Sequence, residues 1–314
     1  MRILITGGAG FIGSHLAERL LARGDEVVVA DNFSTGRRDN LPEHPRLEVV
    51  EGSIAERQLV EQAFDRLTPE VVVHAAASYK DPDDWEEDVR TNVLGTSHVV
   101  RAAQRRGARR LIYFQTSLCY GLKPLEQPIS LAHPLQPAPN SYAVTKTAGE
   151  RFVAMSGLDH VSLRLANAYG PRNVSGPLPT FYRRLTAGQP CFVTDARRDF
   201  IFVADVVDVA VAAIDGAGRP GPYHVSSGRD WPIAELYRTT VDALGTGPRE
   251  VEVRPRGPDD AATILIDPSR TRADFGWTAT TPLEAGVAAA VDWYRSHPLA
   301  ETFTHLKLPD EERA

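Results

Sequence analysis

The stretch ITGGAGFIGSHLAERLL, residues 5–21, decides the fold of this chain. It passes from an apolar strand-like run, through closely spaced glycines, into a helix-like segment. Gly8, Gly10 and Gly13 form the spacing G-x-G-x-x-G, whereas Gly7 with the last two forms G-x-x-G-x-x-G. Glycines at such a turn let a pyrophosphate approach the free N–H groups of the helix N-terminus. The stretch therefore predicts a dinucleotide site and leaves the choice of spacing open.

An acidic residue after the second apolar run supports this interpretation. Asp31 follows the glycines by about 20 residues, where a carboxylate can bind the ribose 2′-hydroxyl. The same carboxylate would repel a 2′-phosphate, so NAD is expected rather than NADP. The loop that follows offers small groups beside the adenosine, namely Asn32, Ser34, Thr35 and Gly36.

Short apolar runs alternate with amphipathic segments through the first half of the chain. The predicted strands are 2–6, 26–30, 47–50, 70–74, 110–115 and 161–165, and the predicted helices are 11–23, 56–67, 86–106 and 142–156. The strands are apolar throughout, as in a parallel sheet that is covered on both faces. We predict an α/β fold: a Rossmann-type doubly wound parallel sheet with a smaller C-terminal lobe.

The rhythm changes after residue 166, where glycine and proline become frequent. We predict an NAD-binding Rossmann domain over 1–165, to which 199–216 returns with one more strand and helix. Residues 166–198 and 217–314 are then the substrate-binding lobe.

The composition excludes several classes of protein. The net charge of −6 argues against a nucleic-acid partner, because phosphate binding needs a basic surface. No run approaches the ~20 apolar residues of a membrane span, and no basic, cleavable leader opens the sequence. Cys119 and Cys191 are too few for a disulfide framework or a zinc site. We expect a cytoplasmic protein without a metal or a membrane partner.

Tyr142 and Lys146 are the candidate catalytic pair. Their spacing puts both side chains on one face of a predicted helix, one turn apart. Tyrosine, with a pKa of about 10, is a poor base at neutral pH, but a nearby ammonium and an oxidised nicotinamide favour phenolate. Thr116 and Ser117 follow the fifth predicted strand, where a hydroxyl can bind the substrate oxygen that Tyr142 deprotonates. Without the pair, these hydroxyls would merely satisfy a strand end.

Together these motifs resemble the extended short-chain dehydrogenase/reductases, in particular their nucleotide-sugar epimerase branch, which includes UDP-glucose 4-epimerase. The resemblance runs nearly end to end. It is carried by TGGAGFIGSHL (6–16), DNFSTG (31–36), HAAA (74–77), RTNVLGT (90–96), TSLCYG (116–121), LRLANAYGPR (163–172), RDFIFVADVVD (198–208) and FGWTATTPLEAGV (275–287).

The resemblance implies a residue set for each ligand. Thr116 aligns with the family's catalytic Ser/Thr, Tyr142 is the expected base, and Lys146 also holds the nicotinamide ribose. The residues expected to bind NAD are Gly7, Gly10, Phe11, Ile12, Gly13, Asp31, Asn32, Ser34, Thr35, Gly36, Ser53, Ile54, Ala75, Ala76, Ala77, Lys80, Asn92, Tyr142 and Lys146. The residues expected to bind a nucleotide-diphosphate sugar are Lys80, Thr116, Ser117, Tyr142, Asn167, Arg198, Arg256 and Asp259. A homodimer is expected through the helices near 86–106 and 142–156.

Three departures from the family pattern concern the nucleotide and the sugar. Ser53 replaces an aspartate that contacts adenine, and the segments FVTDARRD (192–199) and RPRGPDD (254–260) differ from the usual order. The nucleotide base and the sugar therefore stay open. The short loop and SYKDPDDW (78–85) also resemble epimerases of surface-polysaccharide pathways.

The family also contains 4,6-dehydratases and decarboxylases. Its dehydratases place an Asp-Glu pair directly after the catalytic threonine, where this chain has Ser117 and Leu118, and leucine cannot transfer a proton. We therefore hypothesise C4 epimerisation through a transient 4-keto sugar, with Tyr142 as base. The alternatives are a dehydratase or dehydrogenase of the same family, and a non-catalytic NAD-binding sensor, which typically lacks the tyrosine or the lysine.

Overall fold

Seven parallel strands form the central sheet of the computed structural model, which describes residues 1–247, 250–258 and 260–303. The strands are β1 Arg2–Thr6, β2 Glu26–Asp31, β3 Leu47–Glu51, β4 Val71–His74, β5 Arg110–Thr116, β6 His160–Leu165 and, later in the chain, β11 Gly221–Val225. Their spatial order is β11-β6-β5-β4-β1-β2-β3. The order reverses between β1 and β4, and doubly wound sheets bind their ligands beyond the carboxyl ends of the strands at such a point.

Each central strand buries both of its faces, which explains its continuous apolar sequence. Ile3 and Ile5 enter one hydrophobic core, while Leu4 between them enters the core on the opposite face. Val28 and Val29 of β2 divide in the same way. Successive side chains of a strand point to opposite faces, so each face receives its own layer of apolar side chains. The predicted α/β class is confirmed.

Helices cover both faces of the sheet. They are α1 Phe11–Arg23, α2 Arg57–Leu67, α3 Trp85–Asp88, α4 Thr96–Arg106, α5 Ser141–Met155, α6 Pro177–Thr186, α7 Val203–Ile214, α8 Ile233–Leu244, α9 Ser269–Phe275 and α10 Leu283–Ser296. Helices α1 and α7 pack together on one side, and α2, α4 and α5 pack on the other. Within the described ranges, no helix has the length and apolar character needed to span a bilayer.

The helix predicted over 86–106 is interrupted by a π-helical segment, Val89–Gly95. Inside this segment the Asn92 side chain bonds the backbone of Ser78, accepting from its N–H at 2.9 Å and donating to its carbonyl at 3.0 Å. The Thr96 hydroxyl donates to the Asn92 carbonyl at 2.7 Å. These bonds compete with the regular helical ladder, and π-helical turns often mark functional sites.

A second layer of structure, the lobe, follows β6. Its strands are β7 Asn167–Tyr169, β8 Phe192–Thr194, β9 Arg197–Arg198, β10 Phe200–Phe202, β12 Trp231–Pro232, β13 Glu252–Arg254 and β14 Thr263–Ile264. They pair in small sheets, namely β10 with β7, β9 with β12 and β14, and β13 with β8. Helices α6, α8 and α10 bury a separate core that includes Phe181, Tyr237 and Val287.

The return to the sheet differs from the prediction over 199–216. Helix α7 lies against α1 as expected, but β10 pairs with β7 outside the central sheet. The returning strand is β11, which pairs with β6 although it falls in the segment assigned to the lobe. The tyrosine hydroxyl of Tyr223 on β11 donates to Asp274 of α9 at 2.7 Å, so α9 is also tied to this edge of the sheet. The division of the chain into two domains stays a prediction.

Candidate active site

A cleft of about 1570 Å³ lies at the carboxyl edge of the central sheet, between the sheet and the lobe. Pockets for one small molecule usually measure roughly 300–1,000 Å³. The cleft therefore has room for two extended ligands side by side.

The turn between β1 and α1 forms one wall of the cleft by close backbone contact. Gly7 has a φ of +70°, and a Cβ there would lie 2.5 Å from the Ala76 nitrogen. A Cβ on Gly13 would lie 2.3 Å from the Gly7 carbonyl oxygen, and one on Gly10 would lie 3.2 Å from the same atom. A larger residue would fill this cradle, which is shaped for a pyrophosphate beside the helix N-terminus. The backbone thus fits a dinucleotide.

Gly8 has a different surrounding. Its missing Cβ would meet the Val29 side chain of β2 at 2.5 Å, so it faces the hydrophobic core rather than the cleft. Of the four glycines in this turn, Gly7, Gly10 and Gly13 line the cleft, whereas Gly8 does not. The geometry therefore favours the spacing that starts at Gly7.

Asp31, at the end of β2, ties this turn to the loop that follows. Its carboxylate accepts hydrogen bonds from the Ala9 and Phe33 N–H groups, both at 2.8 Å. Burial raises the pKa of this carboxyl, and the two backbone donors act against that shift. Asp31 lines the cleft at the position where a ribose hydroxyl is expected.

Helix α5 and strand β5 bring the predicted catalytic residues together. The Asn140 side chain caps α5 by accepting from the Ala143 N–H at 2.8 Å. Tyr142 and Lys146 lie on the first turns of the helix and line the cleft, as does Thr116 at the end of β5. The Thr116 hydroxyl accepts a hydrogen bond from the Leu118 N–H at 3.2 Å, and it lowers the pKa of the Tyr142 phenol.

The electrostatics of this group depend on burial. Burial raises the pKa of Tyr142, and the hydrogen bond from Thr116 opposes that rise. Burial lowers the pKa of Lys146 to about 7, and the Glu150 carboxylate opposes that fall. The Lys146 ammonium lies 4.1 Å from the centre of the Tyr113 ring, where the ring face attracts a cation. A phenolate at Tyr142 therefore needs positive charge next to it.

A buried polar network holds α5 against the sheet behind this pair. Both oxygens of Glu150 accept hydrogen bonds from Arg164 of β6 at 3.0 Å. Arg164 also donates to the Tyr120 oxygen at 2.6 Å, which lies 2.6 Å from Nε2 of His224. His224 Nδ1 faces the Asp267 carbonyl at 2.9 Å, and because a carbonyl can only accept, Nδ1 carries the proton. Tyr120 therefore donates to Nε2 of His224. The donor and the acceptor of each hydrogen bond in the network are thus defined, and a fully bonded buried network of this kind is rigid.

Asn92 lies behind the wall of the cleft rather than on its surface. Besides Ser78, its amide also donates to the Thr145 hydroxyl at 3.1 Å, and it is 1% exposed. Its predicted contact with the cofactor stays a prediction. Both ends of its amide are bonded to protein, which suits a residue that braces the wall.

The arginines predicted to hold a diphosphate have different positions. Arg198 lines the cleft, donates to the Ala261 carbonyl at 2.7 Å and forms an ion pair with Asp260. Arg256 does not line the cleft formed by the described residues, and its Nε donates to Asp195 at 2.6 Å. Asp259 lies outside the described residues.

Most other predicted residues line the cleft. They are Phe11, Ile12, Asn32, Ser34, Thr35, Gly36, Ser53, Ile54, Ala75, Ala76, Ala77, Lys80, Ser117 and Asn167.

Further lining residues escaped the sequence analysis. The Tyr79 ring centre lies 6.2 Å from that of Tyr142. Tyr79 comes two residues after the HAAA motif, and this position could have identified it as a lining residue. The doublet Arg183–Arg184 in the last turn of α6 also lines the cleft, and two adjacent cations are a weaker signal. Residues 301–303 line it as well, and nothing in their sequence indicates this.

Comparisons with known proteins agree with this geometry. The model of the NAD dependent epimerase/dehydratase family matches residues 3–226. The UDP-glucose 4-epimerase of Mycolicibacterium smegmatis is 34% identical, over 94% of this chain and 99% of its own. UDP-glucuronic acid decarboxylase 1 of Arabidopsis thaliana is 31% identical, over 96% of this chain and 71% of its own. The crystal structure of the Bordetella bronchiseptica enzyme WbmH in complex with NAD⁺ is 56% identical with a TM-score of 0.92, over 94% of this chain and 99% of its own.

The predicted family and cofactor are thereby confirmed. The glycine cradle of the first turn, the acidic residue after β2 and the tyrosine–lysine pair of α5 all stand at one edge of the sheet, and the family model covers all three. The chain is an enzyme that uses NAD and belongs to the NAD-dependent epimerase/dehydratase family of nucleotide-sugar enzymes.

Proposed function

We propose that the enzyme interconverts the two C4 epimers of a nucleotide-activated sugar. The observation that supports this most is the content of the catalytic group. Thr116, Tyr142 and Lys146 converge at the carboxyl edge of the sheet, while Leu118, two residues after the threonine, cannot move a proton. The group is sufficient for a reversible oxidation at one carbon and lacks the acid pair of a 4,6-elimination.

The roles of the three side chains follow from their positions. Tyr142 accepts the proton of the sugar 4-hydroxyl, and Thr116 bonds the same oxygen and orients it. Lys146 brings positive charge to the phenol; burial in the first turns of α5 disfavours that charge, and the Glu150 carboxylate supports it. When the sugar is a 4-ketone, Tyr142 returns the proton to the oxygen, so no net proton is consumed.

NAD, held by the Gly7–Gly10–Gly13 cradle and by Asp31, supplies a reversible hydride acceptor when bound. A sugar that turns about its diphosphate linkage presents the other face of C4 to the same groups. The large cleft between sheet and lobe is compatible with such a turn, because the nucleotide can stay anchored on the lobe side.

The test is a panel of UDP-, GDP-, dTDP-, CDP- and ADP-sugars incubated with the purified enzyme and NAD, with products resolved by NMR. We expect a C4 epimer from at least one sugar nucleotide and no accumulation of NADH at 340 nm. Because UDP-glucuronic acid decarboxylases are among the relatives, the panel includes UDP-glucuronic acid. If the enzyme releases the carboxyl carbon of this sugar as CO₂, decarboxylation replaces epimerisation as the proposed reaction. The absence of any C4 epimer across the panel would also refute it.

We further propose that the enzyme is a homodimer. Six of the nine large apolar side chains that are exposed among the described residues lie on α3, the π-helical segment and α5. They are Trp85, Val89, Leu94, Val144, Phe152 and Met155. These three elements pack against one another, and exposed apolar side chains grouped on them are typical of an interface between protein chains.

Light scattering tests this assembly. The parent enzyme is expected at twice the mass of its 34.4 kDa chain, and Phe152→Glu is expected to shift it toward the monomer. Leu125→Glu is the matched control, since that leucine is 77% exposed outside these helices. A parent enzyme that is monomeric at micromolar concentration contradicts the proposal.

A further inference from the structure

Residues 301–303, which we name the strap, run along the mouth of the cleft on the lobe side. The Phe303 N–H donates to the Val174 carbonyl at 2.9 Å, and its carbonyl accepts from the Gly176 N–H at 3.0 Å. The Ser175 hydroxyl donates to the same carbonyl at 3.1 Å. The strap is thus fixed to the lobe through its backbone, and its side chains face the cleft.

The strap meets the opposite wall at Lys80, in the loop after β4. The Lys80 ammonium lies 3.6 Å from a Glu301 carboxylate oxygen and 4.8 Å from the centre of the Phe303 ring. Lys80 therefore has an anion and an aromatic face as partners, and both come from a distant part of the chain. This contact joins the sheet side and the lobe side of the cleft.

Lys80 lines the same cleft as the catalytic group. It directly follows Tyr79, whose ring meets the Tyr142 ring edge to face. An ammonium on this lining is available to the anionic linkage of a ligand in the cleft.

The contact is also weak enough to exchange. The side chains of Lys80 and Glu301 are 50% and 65% exposed, and exposed ion pairs contribute little to stability. A diphosphate carries more negative charge and more acceptor oxygens than one carboxylate, so it binds an ammonium more strongly. Phe303 is held by its backbone bonds, independently of the ion pair between Lys80 and Glu301.

We propose that Glu301 is a built-in competitor for Lys80, which a diphosphate displaces, and that Phe303 positions Lys80 to receive it. The diphosphate is either the pyrophosphate of NAD or the diphosphate that links nucleotide and sugar in the substrate, and the two groups have the same chemistry. The assignment to the substrate rests on the function proposed above.

Calorimetry with Glu301→Gln tests the inference, because it measures binding without turnover. We expect Glu301→Gln to bind NAD, or UDP in the presence of NAD, about two- to five-fold more tightly than the parent. The arm that gains affinity identifies the source of the diphosphate. Glu70→Gln is the matched control: that carboxylate pairs with Arg2 on an outer surface and is not expected to change either affinity.

A double-mutant cycle shows whether the effect passes through Lys80. In a Lys80→Gln background, Glu301→Gln should give no gain, and in 0.5 M salt the gain in the parent background should shrink. Unchanged affinity for both ligands in Glu301→Gln, or an equal gain without Lys80, overturns the inference. Those outcomes leave the proposed epimerisation intact, which fails instead if no sugar nucleotide of the panel is converted.

Discussion

The sheet side and the lobe side of the cleft differ in the atoms that form their surfaces. On the sheet side, backbone atoms of one turn form the surface, and Gly7 and Gly13 are so close that a single methyl group would collide with backbone. On the lobe side, charged side chains from separate segments form the surface: Arg198 pairs with Asp260, and Glu301 of the strap pairs with Lys80 on the opposite wall. A ligand meets a fixed shape on one side and exchangeable ion pairs on the other. A surface of backbone atoms keeps one shape, whereas side-chain ion pairs can rearrange around a ligand.

In the proposed reaction, the chemistry depends on one phenol, which lies where the two sides meet. Tyr142→Phe removes the proton acceptor, and we expect kcat to fall by about 10²–10⁴-fold, the usual contribution of general acid–base catalysis. Binding of NAD should change less than about three-fold, because the ring stays in place. Tyr182→Phe is the control. Tyr182 lies on α6 and is not among the described residues that line the cleft, so this variant should keep the parent kcat. A Tyr142→Phe enzyme with more than a tenth of the parent kcat contradicts this assignment.

The lobe side predicts a contrast between two arginines. Arg198→Leu removes a guanidinium from the cleft and should weaken UDP binding by about 10- to 100-fold, as expected for hydrogen bonds to a charged group. Arg256→Leu should change it less than about three-fold, because that side chain is held by Asp195 away from the cleft.

Titration calorimetry with UDP measures both effects, and NAD affinity reports whether each variant is folded. If both substitutions weaken UDP binding equally, the family pattern locates the diphosphate better than this geometry does.

The sheet side predicts a contrast between two glycines. A Cβ on Gly13 would be 2.3 Å from a backbone oxygen, whereas one on Gly10 would be 3.2 Å from the same oxygen. A methyl group at position 13 would collide with backbone atoms, which cannot move aside as a flexible side chain can. Gly13→Ala should therefore weaken NAD binding at least about ten-fold and lower the melting temperature. Gly10→Ala should have the smaller effect in both measurements. The reverse order would mean that the turn adapts to its ligand.

The smallest expected effect concerns acid stability. Burial lowers the pKa of His224 to about 4, so between its ordinary value of 6.5 and that value the unfolded chain binds a proton that the folded chain does not. The free energy of unfolding therefore falls as pH drops through this window, by about 2 kcal/mol from pH 7 to pH 5 for this group. His224→Gln should lose that part of the pH dependence, while His44→Gln, in the loop before β3, should retain it. Urea denaturation at the two pH values measures the difference, and an unchanged dependence in His224→Gln contradicts it.

The sequence predicts the sheet side well because its determinants are local. The glycines, Asp31 and the Tyr142–Lys146 pair each lie within a short motif whose spacing alone places them at strand ends or on one helix face. The π-helical segment was not predicted, and the bonds of its Asn92 side chain to Ser78 join it to a distant part of the chain that no local pattern indicates.

The lobe side is harder to predict because its contacts join distant segments. Arg256 was assigned to the diphosphate from a motif, but its ion pair with Asp195 depends on how two loops meet. The strap contacts Lys80, which lies more than two hundred residues earlier in the sequence. Three residues are too few to show a periodicity that would indicate such a contact. The place of β11 in the sheet was missed for the same reason, because a short strand after α7 has several possible partners.

The central claim is that oxidation at C4 is transient and internal. A sugar nucleotide carrying deuterium at C4, chosen from those that the enzyme converts, tests it by NMR and mass spectrometry of the product. The account predicts the opposite configuration at C4 with the deuterium still on that carbon, and no net NADH. Loss of the deuterium to solvent, stoichiometric NADH, or an unchanged configuration at C4 would contradict it.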